Sequence, residues 1–151
     1  MSDKHQILKA LRSAKRGHIA WVGRADLLMK GYPVTDDQAP LSHAECNFGI
    51  WYLESSSALR EFPAFTAIDA PHQQLHEAYR NIFKALFEEK NISMFQRLIG
   101  KGAAIEKKNE QIIKENKAKL DAASKQVLER LEEFEQQIIE MPDAEIAKLF
   151  A

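Results

Sequence analysis

Three histidines and one cysteine stand where the surrounding pattern would otherwise place apolar side chains. His18 interrupts a row formed by Ile7, Leu11, Ala14, Trp21, Ala25 and Leu28, and His72 with His76 interrupts a row formed by Ile68, Leu75, Tyr79, Phe83 and Leu86. His72 and His76 are four residues apart, so on a helix both imidazoles leave the same face and can converge on one ion. Cys46 is the only cysteine of the chain. As a thiolate it completes, with three neutral imidazoles, a tetrahedral shell suited to zinc, and the single negative charge lowers the cost of burying the ion. Each residue also has an ordinary use. A core histidine commonly hydrogen-bonds a carbonyl, and an unpaired cysteine commonly packs as a small apolar group.

The elements that must position these groups are helices. The first row steps by four and three residues and predicts a long helix with Ser2 or Asp3 at its start and Gly31 and Pro33 beyond its end. After a polar loop through Asp36, Asp37 and Pro40, Ser42 and Glu45 have capping-box spacing, which predicts a second helix from His43 that ends at Ser55-Ser56-Ser57. Its Gly49, three residues after Cys46, would let another helix come close to the metal. His43 is expected at the surface. The third helix either starts at Pro71, with Asp69 or Ala70 near the cap, or starts near Ala64 and kinks at the proline.

From Ile92 to Met141 nearly every residue favours helix, with Leu98, Gly102, Ile105, Asn109, Ile112, Asn116, Leu120 and Ala123 in phase. One helix of that span would measure about 75 Å. It must overhang its neighbours or break, and Gly100-Lys101-Gly102 is the expected break. Asp143 is expected to cap a short last turn through Ile146, Leu149 and Phe150. With no strand-like alternation the class is all-α, an antiparallel four-helix bundle over residues 1–141 with a short tail over 142–151.

Composition narrows the function. The 151 residues carry a formal net charge of −1, which gives no drive toward nucleic acid or anionic lipid. No stretch reaches the roughly 18 apolar residues of a membrane span, no signal peptide is evident, and a lone cysteine fits a reducing compartment, so the expected location is cytoplasmic. At this length one domain with no separate output module is expected.

The motifs then agree with one another. His18-Ile19-Ala20-Trp21, Cys46-Asn47-Phe48-Gly49-Ile50-Trp51 and His72-Gln73-Gln74-Leu75-His76 resemble, in this order, the chemoreceptor zinc-binding domain family, over roughly the first two-thirds of the chain. The resemblance implies a four-helix bundle with zinc held by His18, Cys46, His72 and His76. It also implies signalling through chemoreceptors or diguanylate cyclases, and sensing of zinc or of oxidants at the zinc-bound cysteine. Ile50 stands where the family often has lysine, and the segment from Gly100 to Met141 exceeds the family core. With no signalling module in view, output is expected through a partner or a change in assembly.

An enzyme is the rival class. His76-Glu77-Ala78-Tyr79-Arg80 begins like a zinc-protease motif, but Arg80 replaces its second histidine, and four protein ligands leave no position for water. A di-iron bundle would need inward carboxylates, which this face lacks. A purely structural module stapled by zinc is the remaining alternative.

The last helix carries a further expectation. Six lysines face three glutamates between Lys101 and Lys119, whereas five glutamates accompany Arg130 between Glu129 and Glu140, an order opposed to the helix dipole. An apolar row, Ile112, Leu120, Val127, Leu131, Phe134 and Ile138, runs through the same segment. Antiparallel pairing of two copies would cover the row and match the charges, so a symmetric homodimer over about Ile105 to Met141 is expected.

Overall fold

The computed structural model describes residues 4–32, 42–90 and 92–151. Among them lie seven helices and no strand: α1 (Lys4–Met29), α2 (Asn47–Leu59), α3 (Pro63–Thr66), α4 (Asp69–Lys90), α5 (Met94–Leu98), α6 (Lys101–Glu140) and α7 (Asp143–Leu149). The fold is an all-α bundle in which α1, α2, α4 and α6 are the principal members. The expected caps Ser2 and Asp3 and the loop through Asp36, Asp37 and Pro40 fall outside the described residues.

α1 buries the expected row, Ile7, Leu11, Ala14, Trp21, Ala25 and Leu28, with His18 half-buried among them. It ends where Gly31 takes φ +89°, a left-handed conformation that costs glycine little, while the Tyr32 amide donates to Leu27 O at 3.0 Å. α4 starts at Asp69, so Pro71 sits in its first turn, where no intrahelical N–H is owed, and α3 is a separate turn of helix rather than the first limb of a kinked one.

α2 differs from expectation. It begins at Asn47, not His43, and residues 42–46 form a turn in which Ser42 Oγ accepts from the Ala44 amide at 3.3 Å. The N-cap is Cys46, in extended conformation, whose sulfur accepts from the Gly49 amide at 3.2 Å. The helix also runs through Ser55, Ser56 and Ser57 to Leu59. Gly49 serves the turn rather than a neighbouring helix. A Cβ there would collide with the His43 carbonyl oxygen and lie 2.9 Å from its carbon.

α6 both breaks and overhangs. Gly100, at φ +80°, separates it from α5, and Leu98, expected in phase with the buried stripe, is 79% exposed. Beyond the break Gly102, Asn109, Asn116, Leu120 and Ala123 are buried as the spacing predicts. At 40 residues, about 60 Å, α6 outruns α1. α1 lies antiparallel to it from Lys4 Nζ, which donates to Met141 O, as far as Asp26, paired with Lys117. Before Lys117, α6 has α4 and α5 for company, held by Asn109 Nδ2 donating to Ala85 O and Asn81 Nδ2 donating to Asn116 Oδ1.

Two features that suggested a dimer are therefore satisfied within one chain. Leu120, Val127, Leu131, Phe134 and Ile138 are each at most 2% exposed in its own core. The reversed charge order of α6 is answered by α1, with Arg12 on Glu135, Lys15 on Glu132 and Asp26 on Lys117. The core itself has two parts. One gathers Leu11, Leu59, Phe65, Val127, Phe134, Ile138 and, from α7, Ile146; the other gathers Trp21, Leu75, Tyr79, Ile82, Leu120 and Ala123.

Candidate metal site

α4 carries its two histidines inward. His72 and His76 are 4% and 3% exposed, with ring centroids 4.9 Å apart and planes at 90°. The turn before α2 brings Cys46 to them: its sulfur lies 3.4 Å from His72 Nε2. One ligand atom from each of Cys46, His72 and His76 lies within 4.8 Å of the others. The three sit in a cavity of about 630 Å³ between α1, α2, α4 and α6, bordered by small residues of α1, Ala10, Ser13, Ala14 and Gly17.

The electrostatics suit a cation binder whose ligands must shed protons. Burial pushes the His72 pKa down to about 3, with the neighbouring imidazoles of His76, His43 and His18 adding to the effect. Burial alone holds His18 near 4. Both rings are therefore neutral at pH 7, with lone pairs to offer. Burial raises the Cys46 thiol, and the Gly49 amide aimed at the sulfur works the other way. Metal binding must displace that thiol proton, now directed at His43 O at 3.3 Å.

The structure thus brings together three of the four candidate ligands. His18 lines the same cavity, but its Nε2 shares a 2.9 Å hydrogen bond with Ser124 Oγ of α6. Two further residues shape the site. His43, expected at the surface, is half-buried, with its ring centroid 5.8 Å from that of His72, and Phe48 sets its ring edge-to-face on His72 at 5.0 Å. Nothing in the spacing of His43 separates it from an exposed helix start; only the turn does. Trp21 packs on His76 at 4.7 Å and on Tyr79 at 4.6 Å, and its buried Nε1 makes no hydrogen bond among the described residues, so its part here is packing.

One thiol with buried, neutral imidazoles is a donor set that fits zinc and does not suit hard oxygen-seeking cations. Residues 18–83 match the sequence model of the chemoreceptor zinc-binding domain. That segment is similar to the chemoreceptor zinc-binding domain. The matched segment begins at His18 and contains Cys46, His72 and His76, so all four candidate ligands of the domain are present. α6 lies outside the match. Comparison with curated proteins and with solved structures gives no match. No helix among the described residues is long and apolar enough to cross a membrane.

Proposed function

We propose that this protein is a non-enzymatic regulatory zinc protein, binding one zinc per chain through His18, Cys46, His72 and His76 and reporting zinc supply or oxidant through the thiolate. The observation that carries the proposal is the convergence of half-buried Cys46 with buried His72 and His76. Bound zinc would hold the sulfur as thiolate. In that form the Cys46 sulfur would take chlorine from hypochlorous acid with release of hydroxide, and water would then replace chloride on the sulfur, leaving a sulfenic acid that is a weaker ligand. The test is metal content after purification without added metal, for the wild type and for Cys46→Ala combined with His76→Ala. One zinc per chain, lost in the double variant, supports the reading; two metals per chain, or undiminished binding in the variant, overturns it.

Output is proposed to pass through a second copy or through a chemoreceptor or diguanylate cyclase, inside the cytoplasm. Because the apolar row of α6 is covered within the chain, we propose that the homodimer contact, expected from the sequence over about Ile105 to Met141, lies instead near the α5 end, where Phe87, Met94, Phe95 and Leu98 are each at least 60% exposed. Light scattering at tens of micromolar checks this: a dimer that Phe95→Glu with Leu98→Glu converts to monomer supports it, and a wild-type monomer rejects it.

A further inference from the structure

We infer that Ser124 is a positioning residue that competes with the metal for His18, an inference that rests on the zinc reading above. His18 borders the cavity of Cys46, His72 and His76, yet it is not one of the converged ligands. Its Nε2 is set on Ser124 Oγ at 2.9 Å instead. An imidazole nitrogen has a single in-plane direction for a proton or a lone pair, so Nε2 cannot serve Ser124 and a metal at once. His18 joins the other three by turning away from Ser124.

The exchange is affordable for both partners. The freed Ser124 hydroxyl can bond back to the carbonyl one helical turn earlier, as serines in helices do. The His18 ring already borders the cavity of the other three ligands, so it has only to turn, not to travel. Ser124 lies on α6, one turn from Val127, which borders the same cavity. Occupancy therefore breaks a direct α1–α6 link. The helix that answers is α6, which lies outside residues 18–83.

The test is zinc affinity by competition with a chromophoric chelator, for the wild type, Ser124→Ala, His18→Ala and the double variant, with circular dichroism as the folding control. Removing a competing hydrogen bond should tighten zinc binding by about 2- to 10-fold in Ser124→Ala. In the His18→Ala background the same substitution should change nothing, which separates competition from a general loosening of α6. Imidazole nitrogen NMR of the zinc-loaded wild type should show His18 ligating through Nε2. Unchanged or weakened binding in Ser124→Ala, or ligation through Nδ1, overturns the inference while leaving the zinc reading intact; a wild type that binds no zinc removes both.

Discussion

Gly49→Ala should damage both the fold and the metal site, although alanine is the better helix former. The added Cβ meets His43 backbone, with the carbonyl carbon at 2.9 Å and Ala44 Cα at 3.2 Å, so the 42–46 turn must move as a unit. Alanine gains about 1 kcal/mol in helix propensity. Overpacking against backbone costs about 1–3 kcal/mol, and a further ~1 kcal/mol goes if the Gly49 amide loses the Cys46 sulfur. The net is a loss of about 2 kcal/mol, or roughly 4–8 °C in Tm for a chain of this size. Because that turn positions the sulfur, zinc affinity should fall about 10- to 100-fold, the range seen when groups supporting a ligand are removed. Gly23→Ala is the control: it lies within α1 and nothing stands within 4 Å of an added Cβ. It should gain about 0.5–1 kcal/mol and leave zinc affinity unchanged. Thermal denaturation with chelator titration reads both quantities. A Gly49→Ala protein as stable and as tight as wild type would refute the reasoning, since the turn would then not be held against α2.

Other outcomes follow from the same geometry. Phe134→Ala, at a site 0% exposed in the core, should cost about 3–5 kcal/mol in denaturant unfolding, and a loss under 1 kcal/mol would contradict the burial. The metal-free protein should lose stability as pH falls below about 6.5. Above that value folded and unfolded histidines are both neutral; below it the unfolded chain takes up protons that His18 and His72 refuse until near pH 4 and 3. A Tm independent of pH between 7 and 4.5 would contradict this. Hypochlorous acid at low stoichiometry should release zinc together with modification of Cys46, and metal retained on an unmodified thiol leaves zinc sensing or stapling in its place.

The long helices were legible because their apolar rows keep one phase over many turns, as in α1 from Ile7 to Leu28 and α6 from Gly102 to Ala123. His72 and His76 were legible as a pair because four-residue spacing needs no tertiary information. The start of α2 was not. Ser42 and Glu45 carry capping-box spacing, but the cap is a cysteine sulfur, and only the packing of His43 and Ala44 against Gly49 shows that the chain is still turning there. The covering of α6 was not legible for a related reason. Sequence shows that its apolar row and charge order need partners, and only topology shows that α1 supplies Arg12, Lys15 and Asp26 to it. Ser124 had no signal of its own, being a small polar residue beside the apolar row of Leu120, Val127 and Leu131 until α1 places His18 against it.

Cobalt substitution tests the central claim most directly, because Cys46 is the only thiol in the chain and so the only possible source of a thiolate-to-cobalt band. One cobalt per chain is expected, with a near-ultraviolet thiolate charge-transfer band and the intense visible bands of tetrahedral coordination, all displaced by one equivalent of zinc and with the charge-transfer band absent in Cys46→Ala. Stoichiometric cobalt without the thiolate band, or weak octahedral spectra indifferent to zinc, would contradict it.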